Sequence, residues 1–212
     1  MNYLDENKLD NIADALVECG YLVIDDFLPV DLLQGLMTHF LKLDTDVFKS
    51  AGIGRQANFH VQGQIRSDKI HWLESNTKIT TEFLRYMEVL STGLNRRLFL
   101  GLSHYESHFA HYPVGAFYKK HMDAFRDNRE LKSLPSLASN RLLSTVLYLN
   151  ENWLAQSGGE LVIYDESDDQ ILEKILPEFG RLVIFLSEKF PHEVLPATRE
   201  RNSIAGWFRV IQ

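Results

Sequence analysis

Apolar positions over the first hundred residues recur mostly at helical spacing. In "DENKLDNIADALVECG", Leu9, Ile12, Ala13, Leu16 and Val17 form an apolar stripe, and Gly20 supplies a stop. A short strand is expected at "YLVIDDF". A second helix is expected from near Pro29, burying Leu32, Leu33, Leu36, Met37 and Phe40. The stretch "FKSAGIGRQANFHVQGQ" breaks the periodicity, is rich in glycine and reads as a mobile loop. A third helix over 78–97 places Ile79, Phe83, Met87, Leu90 and Leu94 on one side.

After Leu102 the period shortens. "SHYESHFAHYP", "LLSTVLYLN", "GELVIYD", "QILEKILP", "RLVIFLS", "HEVLP" and "SIAGWFRVI" follow one another, with turn formers such as "SGG" and "DESDD" between several of them. Short strands in succession without intervening helices predict a sandwich or a closed barrel. The expected fold class is α+β, with residues 1–101 as mainly helical support and a lid loop, and residues 102–212 as the β core. The N-terminal helices are expected to cover the edges of that core. No linker or internal repeat interrupts the chain, so residues 1–212 read as a single domain.

Composition narrows the setting. With 212 residues, 45% of them hydrophobic and 24% charged, the chain reads as an ordinary globular protein able to bury one substantial core. No apolar run approaches the roughly 20 residues of a membrane span. "MNYLDENKLD" lacks a basic-then-apolar leader pattern. The lone Cys19 forms no internal disulfide, so a reducing cytoplasm is the expected location. A formal charge of −7 argues against a broad nucleic-acid footprint, and neither nucleic acid nor membrane is an expected partner.

Candidate chemistry starts at "HYPVGAFYKKHMDAF". On an extended backbone His121 and Asp123 project from the same face, because strand side chains alternate. His192 stands in "KFPHEVLP", at the start of another expected strand, and Arg201 lies nine residues beyond it. Two histidines and a carboxylate make the facial triad of non-haem iron(II) oxygenases, and an arginine fork suits bidentate capture of a carboxylate. The pair His104 and Glu106 in "HYE" competes for the same reading. His39, His60, His71, His104, His108 and His111 fit surface or hydrogen-bonded core positions better, and "ESDD" after Tyr164 fits a solvated hairpin turn.

"QIRSDKIHWLE", "HYPVGAFYKKHMD", "STVLYLNENW", "SGGELVIY", "GRLVIFLS" and "PHEVLPATRERNSIAGWF" occur in order between about residues 64 and 208. In these motifs the chain resembles the prolyl 4-hydroxylase-like iron(II)- and 2-oxoglutarate-dependent dioxygenases, most of all the oxygen-sensing prolyl hydroxylases and their bacterial relatives. The resemblance implies a double-stranded β-helix (jelly roll) with His121, Asp123 and His192 as iron ligands. It implies Arg201 and Tyr148 on the far carboxylate of 2-oxoglutarate, and Tyr112 lining the cosubstrate pocket. Ser203 in the R-x-S arrangement is a further candidate contact, and Trp207 a neighbour of the metal-facing strand. Iron(II), 2-oxoglutarate and dioxygen are the implied cofactors and cosubstrates, with ascorbate in support. Asp123 as a carboxylate favours hydroxylation over halogenation, since a small residue would open a site for halide. The implied partner is a protein or peptide with an exposed proline, with transcription factors, translation factors and collagen-like repeats as family precedents. A loop near 49–65 is expected to close over it. Three alternatives stay open at this level: the same chemistry on a free amino acid, a non-catalytic jelly-roll binding module, and a hydrolytic zinc site.

Overall fold

The structure is a computed structural model that describes residues 4–51, 64–124 and 141–211. Among the described residues three α-helices lie on one side of the molecule. Helix α1 (Glu6–Glu18) starts where the Asp5 side chain accepts from the Lys8 amide at 2.6 Å, satisfying one of the amide donors a helix start leaves open. It buries Leu9, Ile12, Ala13 and Leu16. Val17, expected in that stripe, is 70% exposed. The seam against the neighbouring helix is narrow and ends at Leu16, and one residue further turns the side chain about 100° away. Helix α2 (Val30–Leu41) buries Leu32, Leu33, Leu36 and Phe40 and leaves Met37 half-buried. Helix α3 (Lys78–Leu98) opens with a reciprocal cap between Thr77 and Thr80 and buries Phe83, Met87, Leu90 and Leu94. Gly93 lets α1 come close, since a Cβ there would lie 2.6 Å from the Leu9 side chain.

Among the described residues eleven strands, numbered in chain order, form two antiparallel sheets. The seven-stranded sheet runs β1 (Tyr21–Ile24), β9 (Leu182–Leu186), β6 (Arg141–Tyr148), β11 (Arg201–Val210), β4 (Leu102–Tyr112), β3 (Lys69–Trp72) and β2 (Lys49–Ser50). The four-stranded sheet runs β5 (Tyr118–His121), β10 (His192–Val194), β7 (Leu161–Tyr164) and β8 (Ile171–Ile175). This is the jelly-roll arrangement expected. The β core nevertheless reaches back before Leu102, because β1, β2 and β3 all join the larger sheet.

Each face of the larger sheet buries a different set. One face packs on the helices through Phe109, Leu143, Leu147, Ile184, Ile204 and Phe208. The other faces the smaller sheet, where Ala110, Tyr112, Tyr148, Val183 and Phe185 meet Leu161, Ile163, Ile175 and Val194. Alternation along β4 and β11 produces this division residue by residue. At Gly206 the backbone of β11 passes under Tyr105, and a Cβ there would lie 2.6 Å from the ring.

Candidate active site

The two candidate imidazoles come from adjacent strands of the smaller sheet. His121 and His192 are register partners across β5 and β10, with ring centroids 4.3 Å apart. Strand β5 ends at His121, so Asp123 sits in the bend beyond it and not on the extended strand expected. The bend still carries its carboxylate between the rings, 3.7 Å from His121 Nε2 and 3.7 Å from His192 Nε2. The candidate ligand atoms of the three residues all lie within 4.8 Å of one another.

Hydrogen bonds around the triad decide which lone pairs are free. His121 Nδ1 faces the Lys119 carbonyl at 2.8 Å, and His192 Nδ1 faces the Phe190 carbonyl at 3.0 Å. A carbonyl only accepts, so both rings carry hydrogen on Nδ1, and Nε2 is the nitrogen left to ligate a metal at the centre. Asp123 Oδ2 accepts from Ser144 Oγ at 2.6 Å and from Trp207 Nε1 at 2.9 Å. Ser144 is in turn 2.8 Å from Ser187, which is fully buried. Oδ1 is left as the less engaged oxygen of the carboxylate. Burial pushes the Asp123 carboxyl up, but the two imidazoles and these hydrogen bonds outweigh it, and the net direction is down. Burial, and next the closeness of the His192 ring, push the His121 imidazole down. Two neutral imidazoles and one carboxylate, leaving positions open, suit ferrous iron.

Deeper in the barrel a second set of polar groups is buried with donors to spare. Alternation on β11 points Arg201, Ser203, Ala205 and Trp207 the same way. Arg201 is opposite Tyr112 on β4, and Ser203 is opposite Tyr148 on β6 and Ala110 on β4. The Arg201 guanidinium lies 4.0 Å from the Tyr112 ring centre and donates one Nη1 hydrogen to the Gly159 carbonyl at 2.9 Å. Arg201 Nε and the Tyr148 hydroxyl are buried with no hydrogen-bond partner among the described residues. Burial pushes the Tyr148 phenol up to about 12, so it holds its proton and can donate. An unmatched buried polar group costs about 1–3 kcal/mol. A carboxylate arriving here would match these donors, and the donor set fits the far end of an oxo acid.

Other side chains of the site were not anticipated from the sequence. Tyr118 stacks on His121 at 3.5 Å and 15°, and Arg66 covers the other face of Tyr118 at 4.2 Å. Arg66 forks onto buried Asp68 at 2.6 and 2.8 Å. Arg141 lies 3.6 Å from the Trp207 ring centre. Ser144 and His108 each share a strand face with a recognised residue, being four positions before Tyr148 and Tyr112 respectively. That alternation was the signal available for both.

The competing pair does not assemble. His104 is exposed, and Glu106 is held by Arg141 at 3.0 Å and Arg209 at 3.0 Å. "ESDD" forms the turn between β7 and β8, where Asp169 pairs with Lys120 at 2.8 Å. His111 bonds Asn202 at 2.9 Å. The expected lid lies largely, and His60 entirely, outside the described residues.

Comparison with known proteins agrees with this geometry. The model of the 2OG-Fe(II) oxygenase superfamily matches residues 107–209. A crystal structure of a Pseudomonas putida prolyl-4-hydroxylase is 37% identical, covers 96% of this chain and 100% of its own, and superposes with a TM-score of 0.82. A Trichoplax adhaerens prolyl hydroxylase, in complex with a peptide fragment of the hypoxia inducible factor oxygen degradation domain, is 26% identical. It covers 99% of this chain and 96% of its own, with a TM-score of 0.80. The hypoxia-inducible factor prolyl hydroxylase of Caenorhabditis elegans is 27% identical over 94% of this chain, which spans 28% of that longer protein. The family works with iron(II), 2-oxoglutarate and dioxygen. The chain belongs to the 2-oxoglutarate- and iron(II)-dependent oxygenase superfamily and is of its prolyl hydroxylase type.

Proposed function

We propose that the protein is a cytoplasmic dioxygenase, a single catalytic unit that hydroxylates a prolyl residue in a protein or peptide. The observation that carries the reading is one juxtaposition. Three converging ligand groups stand at one level of the barrel, and the buried, unmatched Arg201 and Tyr148 stand deeper in it. Full-length likeness to the Pseudomonas prolyl-4-hydroxylase and to a peptide-bound prolyl hydroxylase supports the choice of substrate class.

In this reading His121 Nε2, His192 Nε2 and the Asp123 carboxylate hold iron(II). Iron(II) with 2-oxoglutarate supplies the oxygen-activating chemistry, coupled to decarboxylation of the oxo acid to succinate. Arg201 and the Tyr148 hydroxyl bind the far carboxylate, and Tyr112 and Ser203 line its path. Fixing that end sets the orientation of the other, which is how a remote charge pair contributes to rate. Ser144 and Trp207 hold Oδ2 of Asp123 and so set its bite on the metal. Tyr118, braced by Arg66, limits rotation of the His121 ring.

The test is to incubate iron-loaded protein with a cell lysate and map prolines that gain one oxygen atom. The expected result is a discrete peptidyl hydroxyproline that requires 2-oxoglutarate and ferrous iron and fails with zinc. Modification of free amino acids alone would overturn the peptidyl reading. Absence of any oxygen-dependent conversion of 2-oxoglutarate to succinate would overturn the catalytic one.

A further inference from the structure

Glu106 stands outside the metal triad, yet it lies in the same row of the larger sheet as the groups that grip Asp123. It is the register partner of Trp207, and Trp207 is the register partner of Ser144. Residues opposed in this way project to one face, so Glu106, Trp207 and Ser144 lie side by side across β4, β11 and β6. Trp207 and Ser144 donate to Asp123 Oδ2. Glu106 accepts instead from arginines. Its Oε1 takes Nε and Nη2 of Arg141 at 3.1 and 3.0 Å, and its Oε2 takes Nη1 of Arg209 at 3.0 Å.

Arg141 and Glu106 belong to the two strands that flank β11. Their ion pair therefore spans two strand spacings, about 10 Å between backbones, and passes over β11. On the way the guanidinium lies 3.6 Å from the Trp207 ring centre. Stability accounts for this arrangement poorly. The three strands are already paired along their lengths, and an ion pair near the surface adds little. The indole gains more. Its N–H bonds Asp123 well only while the ring plane is held, because a hydrogen bond weakens steeply with misalignment. Trp207 is half-buried, and an arginine stem free to change rotamer would not hold it. Two N–H groups of Arg141 on one carboxylate oxygen fix the guanidinium plane against the ring.

We propose that Glu106 is a positioning residue of the metal site. It keeps Arg141 against the Trp207 indole, which keeps Trp207 Nε1 aimed at Asp123 Oδ2 and so sets how Asp123 meets the metal. The inference rests on the metal reading of the triad and is independent of the substrate.

The experiment measures Mn(II) affinity by isothermal titration of the metal-free protein, with melting curves to show that each variant is folded. Wild type is compared with Glu106→Ala, Glu106→Gln, Trp207→Phe and the Glu106→Ala/Trp207→Phe double variant. Losing a group that orients a metal ligand lowers metal affinity by about 10- to 100-fold, which is expected for Trp207→Phe. Glu106 acts one contact further out, so Glu106→Ala should weaken Mn(II) binding by about threefold to tenfold without abolishing it. Glutamine keeps an oxygen that accepts from Arg141, and Glu106→Gln should bind more tightly than Glu106→Ala. Once the indole N–H is gone, Glu106→Ala should cost less than about 1.5-fold more. Wild-type affinity in Glu106→Ala overturns the proposal. Equal losses for alanine and glutamine, or the same loss in the Trp207→Phe background, also overturn it, since either makes the effect one of charge felt through space. The alanine–glutamine contrast stands even if the Trp207→Phe proteins do not fold. Failure of wild type to bind Mn(II) would overturn the metal reading, and the proposal with it.

Discussion

Strand β11 is buried on both faces, and the two faces are built on opposite principles. Ile204 and Phe208 point to the helices and join a cluster of apolar side chains that includes Phe109, Leu143 and Leu90. Arg201, Ser203 and Trp207 point into the barrel, among polar groups of which several lack a hydrogen-bond partner among the described residues. Burial alone thus says nothing about role. A side chain that completes its contacts within the fold serves stability, whereas donors left unmatched on the barrel face, as at Arg201 and Tyr148, stand where a ligand can complete them.

The contrast can be broken at either face. The largest effect is expected from Asp123→Ala, which removes the only charged member of the triad. Metal binding and turnover should be lost while the metal-free protein melts close to wild type, and Glu106→Ala should retain metal binding. Isothermal titration with Mn(II) and a succinate assay would show it, and the reverse pattern would move the site to the "HYE" pair. Arg201→Ala comes next. Losing one partner of a desolvated charge pair costs about 2–5 kcal/mol, or roughly 30- to several-thousand-fold in 2-oxoglutarate affinity. A change within about twofold would detach Arg201 from the cosubstrate.

On the helix-facing side Phe208→Ala should do the opposite. Truncating a fully buried phenylalanine costs about 3–5 kcal/mol of stability, read as a lower urea midpoint, with 2-oxoglutarate affinity of the folded protein preserved. Ser144→Ala is a subtler probe of the barrel face. Removing a partner that orients a metal ligand lowers metal affinity by about 10- to 100-fold, and Ser144→Thr should restore most of it.

The smallest effect is a pH slope. Burial pushes the His108 imidazole from 6.5 down to about 3, with smaller contributions from Arg66 and Arg141. Between those values the unfolded chain binds a proton that the folded chain refuses, so stability rises with pH through that window and is lost as pH falls. The contribution is at most about 1.4 kcal/mol per pH unit. Urea midpoints of the metal-free protein should therefore depend less on pH in His108→Leu than in wild type.

Much of the helix-facing side was legible in the sequence, because helix periodicity is a local property. Leu9, Ile12 and Leu16, and Phe83, Met87, Leu90 and Leu94, could be picked by spacing alone. The triad residues were legible through "HMD" and "PHEV", although Asp123 comes from a bend and not from the strand face that made it noticeable. What sequence could not show depends on register. Nothing in "QIRSDKIHWLE" says that Trp72 will lie beside His108, or in "LLSTVLY" that Ser144 will reach Asp123. Those contacts exist only once strands distant in the chain have been aligned.

The position of the triad has one last consequence. His121 and His192 belong to the smaller sheet, while Asp123 is gripped by Ser144 and Trp207 of the larger one. An ion shared among them would cross-link the two halves of the roll, as a rivet joins two plates. At a hundredfold excess over its dissociation constant such an ion adds about 2.7 kcal/mol. Scarcity of the metal would then be felt twice, as silence of the enzyme and as loosening of the scaffold that must wait for the next ion.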